Sequence, residues 1–274
     1  MLFCVYNSKV EHRYFKLLTL GDYLMQYIVF DLEMNQDLTS IKNIPAHPSK
    51  YPFEIIQIGA YKLDASFHTI ASFNRYVKPT IYSSISPFIT DLTGITMSKL
   101  LNEPQFHEVY GSFLEFIGPE ETIFVTWGMA DIRQLFIEAK FHGLDISNLP
   151  STYINIQPFA SLHFGLPSKQ LLRLQYTIEA LNIQATGPYH DAGNDAYYTA
   201  EIFKVIYHTF MEPQKYDPDQ ITSKERKPKK VVDYEGLIAQ FEKMFEHKLS
   251  KKEQEMIRLA YHMGKTKQFL RESK

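Results

Sequence analysis

A short run of β-branched and aromatic residues that ends in two acidic residues limits the possible folds of this chain more than any other feature. Residues 27–30, Tyr-Ile-Val-Phe, favour a buried strand, and Asp31 and Glu33 follow at its end. Side chains two apart in a strand point to the same face of a sheet. Two adjacent carboxylates repel each other unless a cation lies between them, and oxygen ligands of this kind favour Mg²⁺ or Mn²⁺. The run therefore predicts a sheet with a divalent metal site at the end of one strand.

A third acidic residue, Asp131, lies where a strand pattern changes to a helix pattern. Residues 122–127 favour a buried strand, and Gly128 favours a turn. Apolar residues then recur at helical spacing, at Ile132, Leu135, Phe136 and Ala139. The carboxyl ends of strands line the ligand crevice of α/β sheets, and a carboxylate is favoured in the first turn of a helix. Asp131 is therefore a candidate metal ligand.

The last group of candidate residues surrounds a Gly-Pro loop. Gly187 and Pro188 precede His190, and a helix pattern that carries Asp195 follows. The apolar stripe of this helix consists of Ala196, Ala200, Phe203 and Tyr207. Two cations about 4 Å apart can hold the attacking and leaving oxygens of a phosphodiester, while a histidine takes a proton from water. Four carboxylates and one imidazole therefore predict two-metal phosphodiester hydrolysis.

The order of these motifs resembles that of the DEDDh exonucleases of the RNase H-like superfamily. The matching motifs are Asp-x-Glu, Thr-Trp-Gly-x-x-Asp and His-x-x-x-x-Asp-Ala, within residues 26–210. Within that family the chain resembles the exoribonucleases that trim histone mRNA and small RNA, together with their bacterial sporulation-inhibitor homologues. The resemblance implies an α/β, RNase H-like (exonuclease) fold with a five-stranded mixed sheet flanked by helices. The sequence pattern predicts its strands near residues 26–31, 54–63, 67–77, 122–127 and 152–156.

The same resemblance implies a role for each candidate residue. Asp31 would bridge two divalent cations, Mg²⁺ or Mn²⁺, Glu33 and Asp195 would complete one metal site, and Asp131 would support the other. His190 would be the general base. The residues implied to contact the 3′-terminal nucleotide are Met34, Leu92, Thr93, Gly94 and Ile95. The implied reaction is 3′-to-5′ hydrolysis of single-stranded nucleic acid, RNA rather than DNA, to nucleoside 5′-monophosphates.

Two other functions stay open at this point. One is a regulatory protein that binds nucleic acid or protein without turnover, against which the complete acidic set argues. The other is a DNA-proofreading exonuclease that works beside a polymerase. A nuclease assay with Mg²⁺ or Mn²⁺ would separate an enzyme from the binding protein. Co-purification with a polymerase would favour the proofreading exonuclease.

Composition agrees with an ordinary enzyme that has one α/β core and an appendage. The chain has 274 residues, 45% of them hydrophobic. Its single cysteine, Cys4, excludes an internal disulfide and a thiolate zinc site, and is compatible with the cytoplasm. The sequence has no continuous apolar run long enough to span a membrane, which needs about 18 residues. We therefore expect a cytoplasmic protein without membrane contact.

The sequence predicts four segments. Residues 1–24 form an N-terminal arm without signal-peptide character, and translation could start at Met1 or at Met25. The exonuclease domain covers 25–210, a linker rich in Pro and charge covers 211–232, and a small helical extension covers 233–274. Residues 224–274 contain 14 Lys and Arg against 8 Asp and Glu, so the extension is basic. Its short amphipathic helices cannot bury their apolar stripes alone, so we expect them to dock on the catalytic domain, to self-associate or to bind a protein partner.

Overall fold

The computed structural model describes residues 25–37, 53–208, 211–219 and 232–265. The chain divides into two compact units, Met1–Gln220 and Ile221–Lys274. The predicted N-terminal arm at residues 1–24 lies outside the described residues. Among the helices described, none is both long enough and apolar enough to cross a membrane.

A sheet of six described strands forms the centre of the first unit. In chain order the strands are β1 (Gln26–Asn35), β2 (Glu54–Leu63), β3 (Thr69–Tyr76), β4 (Thr122–Thr126), β5 (Thr152–Asn155) and β6 (Gln214–Lys215). Their spatial order is β3-β2-β1-β4-β5-β6. β1, β4 and β5 run parallel, whereas β2, β3 and β6 are each antiparallel to their neighbours. The carboxyl ends of three central strands therefore lie at one edge of the sheet.

This architecture confirms the predicted α/β fold with a mixed sheet, although the predicted number of five strands was one too low. The additional strand, β6, has only two residues, which is too short to produce a periodic pattern. It pairs with β5 through Tyr153 and Gln214, and Tyr216 packs against the core. The first unit thus continues through a part of the predicted linker, and the predicted domain limits stay a prediction.

Helices cover both faces of the sheet. In chain order those of the first unit are α1 (Pro87–Thr93), α2 (Met97–Leu100), α3 (Phe106–Ile117), α4 (Ala130–Phe141), α5 (Gln157–His163), α6 (Leu174–Ala180) and α7 (Ala192–Ile206). The even positions of β1, Ile28 and Phe30, pack with α3 and α4. The odd positions, Tyr27 and Val29, pack with α5, α6 and α7. The sheet is therefore buried between two helical layers, as its nearly continuous apolar strands require.

The second unit contains two described helices, α8 (Tyr234–Phe245) and α9 (Lys251–Lys265). Asp233 caps α8 by accepting a hydrogen bond from the Gly236 N–H at 2.8 Å. A capping box begins α9, because the Ser250 N–H donates to the Glu253 carboxylate at 2.7 Å and the Ser250 hydroxyl accepts from the Glu253 N–H at 3.4 Å. These contacts explain why α8 begins at Tyr234 and α9 begins at Lys251.

Candidate active site

The alternation of β1 places Asp31 and Glu33 on the side of the sheet that α7 covers. They continue the odd positions Tyr27 and Val29, whose side chains pack in the same apolar cluster as α7. The Glu33 side chain is buried, with 8% of the residue exposed. The first acidic pair thus faces the helix that carries the last acidic residue.

A glycine on β2 allows the first turn of α7 to reach the sheet. Gly59 lies opposite Asp31 in the antiparallel β1–β2 register. A Cβ atom at this position would lie 2.1 Å from the carbonyl carbon of Ala192, closer than any side chain can approach backbone. Because α7 can touch the strand here, its first-turn residue Asp195 lies beside the carboxylates of β1.

Glu33, His190 and Asp195 form one compact group of possible ligands. One atom from each side chain lies within 4.8 Å of those of the other two. The backbone N–H of His190 also donates to Asp195 Oδ2 at 3.1 Å. The other carboxylate oxygen, Asp195 Oδ1, is buried and has no hydrogen-bond partner in the described part of the chain. Such an orphaned buried oxygen is suited to a cation.

The position of His190 differs from that of the acidic residues. Its side chain is exposed, whereas 8% of Glu33 and 7% of Asp195 are exposed. Its backbone has a φ of 61°, in the left-handed region that few non-glycine residues adopt. The imidazole therefore borders the buried carboxylates and is open to solvent, where a water molecule can reach it.

Asp131 approaches this group from α4, which packs on the face of the sheet opposite α7. It lies in the first turn of that helix, directly after the parallel strand β4, and is 6% exposed. Burial raises the pKa of Asp131 to about 7, and Asp195 adds to the increase. Hydrogen bonds from its own backbone and from Leu32 act in the opposite direction. The contact with Leu32 places Asp131 next to the acidic pair of β1.

The other three carboxyl groups show the same electrostatic strain. Burial raises the pKa of Asp31 well above its usual range, and Asp131, Glu33 and Asp195 raise it further. Burial also raises the pKa of Glu33 to about 8 and that of Asp195 to about 6. The cause is a set of negative charges that share one poorly hydrated space. Divalent cations would remove this repulsion, so the residues present fit the predicted metal site.

A buried polar network that the sequence did not reveal supports the first turn of α7. Asp191 caps the helix by accepting from the Asn194 N–H at 3.0 Å, and its other oxygen accepts from Gln57 Nε2 at 2.9 Å. Tyr198 fastens the preceding loop, since its hydroxyl accepts from the Gly187 N–H at 2.9 Å. An Asp-x-x-Asn start could have indicated the cap, but nothing local indicates the partner on β2.

The residues predicted to contact the substrate lie in two places. Met34 is partly buried against the core of the sheet, directly after Glu33. Leu92 and Gly94 are exposed at the end of α1, where Gly94 has a φ of 69°. The Ile95 side chain is 1% exposed and packs in a small apolar cluster. Thr93 is half-buried, and its hydroxyl donates to the Ile89 carbonyl at 2.8 Å. Leu92 and Gly94 are therefore the exposed parts of this segment.

Two buried polar side chains fasten the segment that leads into α1. The Glu54 carboxylate accepts hydrogen bonds from the consecutive N–H groups of Thr80, Ile81 and Tyr82. At the end of β1, Asn35 donates to the Ser84 carbonyl and accepts from the Ser86 N–H, both at 3.0 Å. β1 and β2 thus position both the acidic pair and the segment that precedes α1.

Comparison with known proteins agrees with this arrangement. The sequence profile of the family described as Exonuclease (RNase_T) matches residues 28–203, which include all five predicted catalytic and metal-binding residues. The chain belongs to this exonuclease family. Human ERI1 exoribonuclease 3 is 27% identical to the chain over 203 residues, which cover 70% of the chain and 57% of that relative. The chain thus spans little more than half the length of this relative.

Other exonuclease relatives extend the comparison to a polymerase and to a solved structure. The PolC-type DNA polymerase III of Caldanaerobacter subterraneus subsp. tengcongensis is 31% identical over 178 residues, 65% of this chain and 11% of that protein. The nuclease domain of 3′hExo, described as a DEDDh family member bound to rAMP, has a TM-score of 0.58 at 20% identity. The match covers 70% of this chain and 96% of that domain. The predicted DEDDh resemblance and RNase H-like fold are confirmed.

Proposed function

We propose that this protein is a metal-dependent 3′-to-5′ exonuclease that hydrolyses single-stranded nucleic acid to nucleoside 5′-monophosphates. The observation that carries the proposal is the group formed by Glu33, His190 and Asp195, whose possible ligand atoms lie within 4.8 Å of one another. The inclusion of Asp31 and Asp131 is supported by their raised pKa values, to which burial contributes most and neighbouring carboxylates of this set add. Membership of the exonuclease family supplies the reaction class.

The five residues have separate roles in the proposed reaction. Asp31, Glu33, Asp131 and Asp195 would hold two divalent cations, Mg²⁺ or Mn²⁺, with Asp31 shared between them. When bound, these cations supply positive charge at the attacking and leaving oxygens of the scissile phosphate. His190 acts as general base, because its exposed imidazole borders the carboxylates and can accept a proton from the attacking water. The buried carboxylates hold their positions on β1, α4 and α7.

The 3′-terminal nucleotide would lie between the acidic pair and the end of α1. Met34 follows Glu33 directly, and the exposed side chain of Leu92 offers an apolar surface for a base. The anchored segment before α1 keeps that surface in place. We favour RNA as the substrate, since the human relative is named an exoribonuclease and the 3′hExo nuclease domain is described as bound to rAMP.

The PolC-type relative supports a second candidate function, the proofreading of DNA beside a polymerase. Its identity to this chain is 31% over 178 residues, against 27% over 203 residues for the human exoribonuclease. The two functions differ in the sugar of the substrate. A protein that contacts the 2′-hydroxyl prefers RNA, whereas a proofreading exonuclease degrades DNA.

The decisive experiment compares RNA and DNA strands of matched sequence in the presence of Mg²⁺ or Mn²⁺. A 5′-label reveals successive shortening from the 3′ end, and a 3′-label reveals the released mononucleotide. We expect RNA to be degraded, with no product after chelation or with Asp31→Asn. Faster degradation of DNA, together with co-purification of a polymerase, would support proofreading. If the folded protein binds either strand without cleaving it, the chain is a regulatory binding protein and the proposed activity is wrong.

A further inference from the structure

Gln57 connects the sheet to the helix that carries Asp195. It lies on β2, directly opposite Glu33 in the antiparallel register, and is completely buried. Residues paired in this way point to the same face of the sheet with their Cβ atoms about 5 Å apart. The Gln57 amide and the Glu33 carboxylate are thus neighbours beneath the first turn of α7.

Every polar atom of this amide has a defined partner. Its Nε2 donates to Asn74 Oδ1 and to Asp191 Oδ2, both at 2.9 Å, and its Oε1 accepts from the Ala192 N–H at 3.3 Å. The reverse orientation of the amide would place its carbonyl oxygen against two acceptors. The three contacts therefore fix one orientation, in which the amide contacts Asn74 of β3 on one side and the start of α7 on the other.

The contacts of Gln57 extend to the candidate catalytic residues through the backbone. Asp191, which accepts from Gln57, directly follows His190 in the chain. The Asp191 carbonyl accepts from the Asp195 N–H at 2.9 Å, and the His190 N–H donates to Asp195 Oδ2. A displacement of Asp191 would therefore move both His190 and Asp195 relative to Glu33.

We propose that Gln57 is a positioning residue, which sets the separation between Glu33 on β1 and the His190–Asp195 turn at the start of α7. It does not touch the reacting atoms, and it acts through the cap residue Asp191. This inference rests on the proposed nuclease function. Replacing a side chain that orients metal ligands in this way typically lowers metal affinity or activity about 10- to 100-fold.

The first test replaces the amide by an unbranched side chain of similar length, Gln57→Met. We expect the dissociation constant for Mn²⁺, measured by calorimetry with MnCl₂ alone, to rise about 10- to 100-fold. Hydrogen exchange of the amides of residues 190–195 should become faster, and kcat should fall more than KM changes. The matched control is Gln134→Met, since Gln134 is a buried amide that contacts the Phe53 carbonyl and Glu138 instead.

A charge-conserving exchange tests the same contact if Gln57→Met does not fold. Asp191→Asn can keep the cap, but its side-chain N–H₂ would then face the N–H₂ of Gln57. Adding Gln57→Glu restores one donor and one acceptor at the same total charge, and the Asn74 amide can turn to donate to Glu. We expect the single change to weaken Mn²⁺ binding and the double change to recover most of it.

The outcomes separate this inference from the proposed function. If the wild-type protein neither binds Mn²⁺ nor degrades RNA or DNA, the nuclease proposal and the positioning role fail together. If it is active while Gln57→Met keeps the Mn²⁺ affinity, exchange rates and kcat of the wild type, only the positioning role fails. It also fails if Gln134→Met weakens Mn²⁺ binding equally, or if the double change recovers nothing.

Discussion

Replacing Glu33 by Gln should stabilise the metal-free protein at neutral pH, although it should impair metal binding. Glu33 is buried beside other carboxyl groups, and its pKa is raised from 4.5 to about 8. At pH 7 the folded protein must therefore take up a proton that the unfolded chain does not hold. Glutamine resembles the protonated acid in shape and never carries the charge, so this requirement disappears.

The pH dependence has a definite sign. A carboxyl group whose pKa is raised in the folded state contributes its stability below the unfolded pKa and loses it as pH rises through the folded pKa. The loss thus extends from about pH 4.5 to about pH 8 for Glu33. pH 7 lies about 2.5 units above the lower limit of this range. At 1.36 kcal/mol per unit, the loss in the free energy of unfolding at pH 7 is on the order of 3 kcal/mol. For a chain of this size that is roughly 6 to 12 °C in Tm.

Thermal unfolding of wild type and Glu33→Gln in a chelator, from pH 4 to pH 8, measures the difference. We expect the variant to be more stable than wild type above pH 4.5, by a difference in unfolding free energy that grows as the pH rises. The matched control is Glu115→Gln, because Glu115 is exposed on α3. With saturating Mg²⁺, wild type should gain more stability than the variant, since only wild type offers the full set of ligands. A variant that is no more stable than wild type at pH 7 without metal would refute the electrostatic reasoning.

Three further substitutions test the site from different directions. His190→Ala should slow single-turnover cleavage about 10²- to 10⁴-fold while calorimetry shows unchanged Mg²⁺ binding, and weakened binding would contradict its role as a base. Asp31→Asn should abolish turnover through loss of metal affinity, so unchanged Mg²⁺ uptake in calorimetry would argue against a bridging ligand. Gly59→Ala should lower stability by roughly 1 to 3 kcal/mol or more in denaturant unfolding and reduce activity, because the new methyl group must push α7 from the sheet. Wild-type stability and activity of that variant would show that the close approach is not required.

The strands and the acidic pair could be predicted because their signal is local. The run before Asp31 gives a buried strand, and alternation alone places Glu33 on the same face. β1 nevertheless continues to Asn35, beyond the predicted end near residue 31. The acidic residues Asp31 and Glu33 made the rest of the strand unrecognisable from sequence, since acidic side chains are rare in buried strands unless they are paired.

The supporting contacts could not be predicted, because they join residues distant in the chain. Gln57 and Asp191 are 134 positions apart, and neither has an unusual local setting. The sequence pattern around a buried glutamine in an apolar strand does not reveal which residue it hydrogen-bonds. The same holds for Glu54, whose carboxylate binds the backbone of a loop more than 20 positions away. Such contacts are defined only when the sheet has formed and α7 lies on it.

The shared use of β1 by Glu33 and Asn35 restricts how the gene can change in length. Glu33 belongs to the carboxylate group, and Asn35 fastens the approach to α1, with a bulge between Glu33 and Met34. Inserting or deleting one codon between them would turn the following side chains to the opposite face. Descendants of this protein should therefore vary in the loops around this strand while the spacing from Asp31 to Asn35 stays constant.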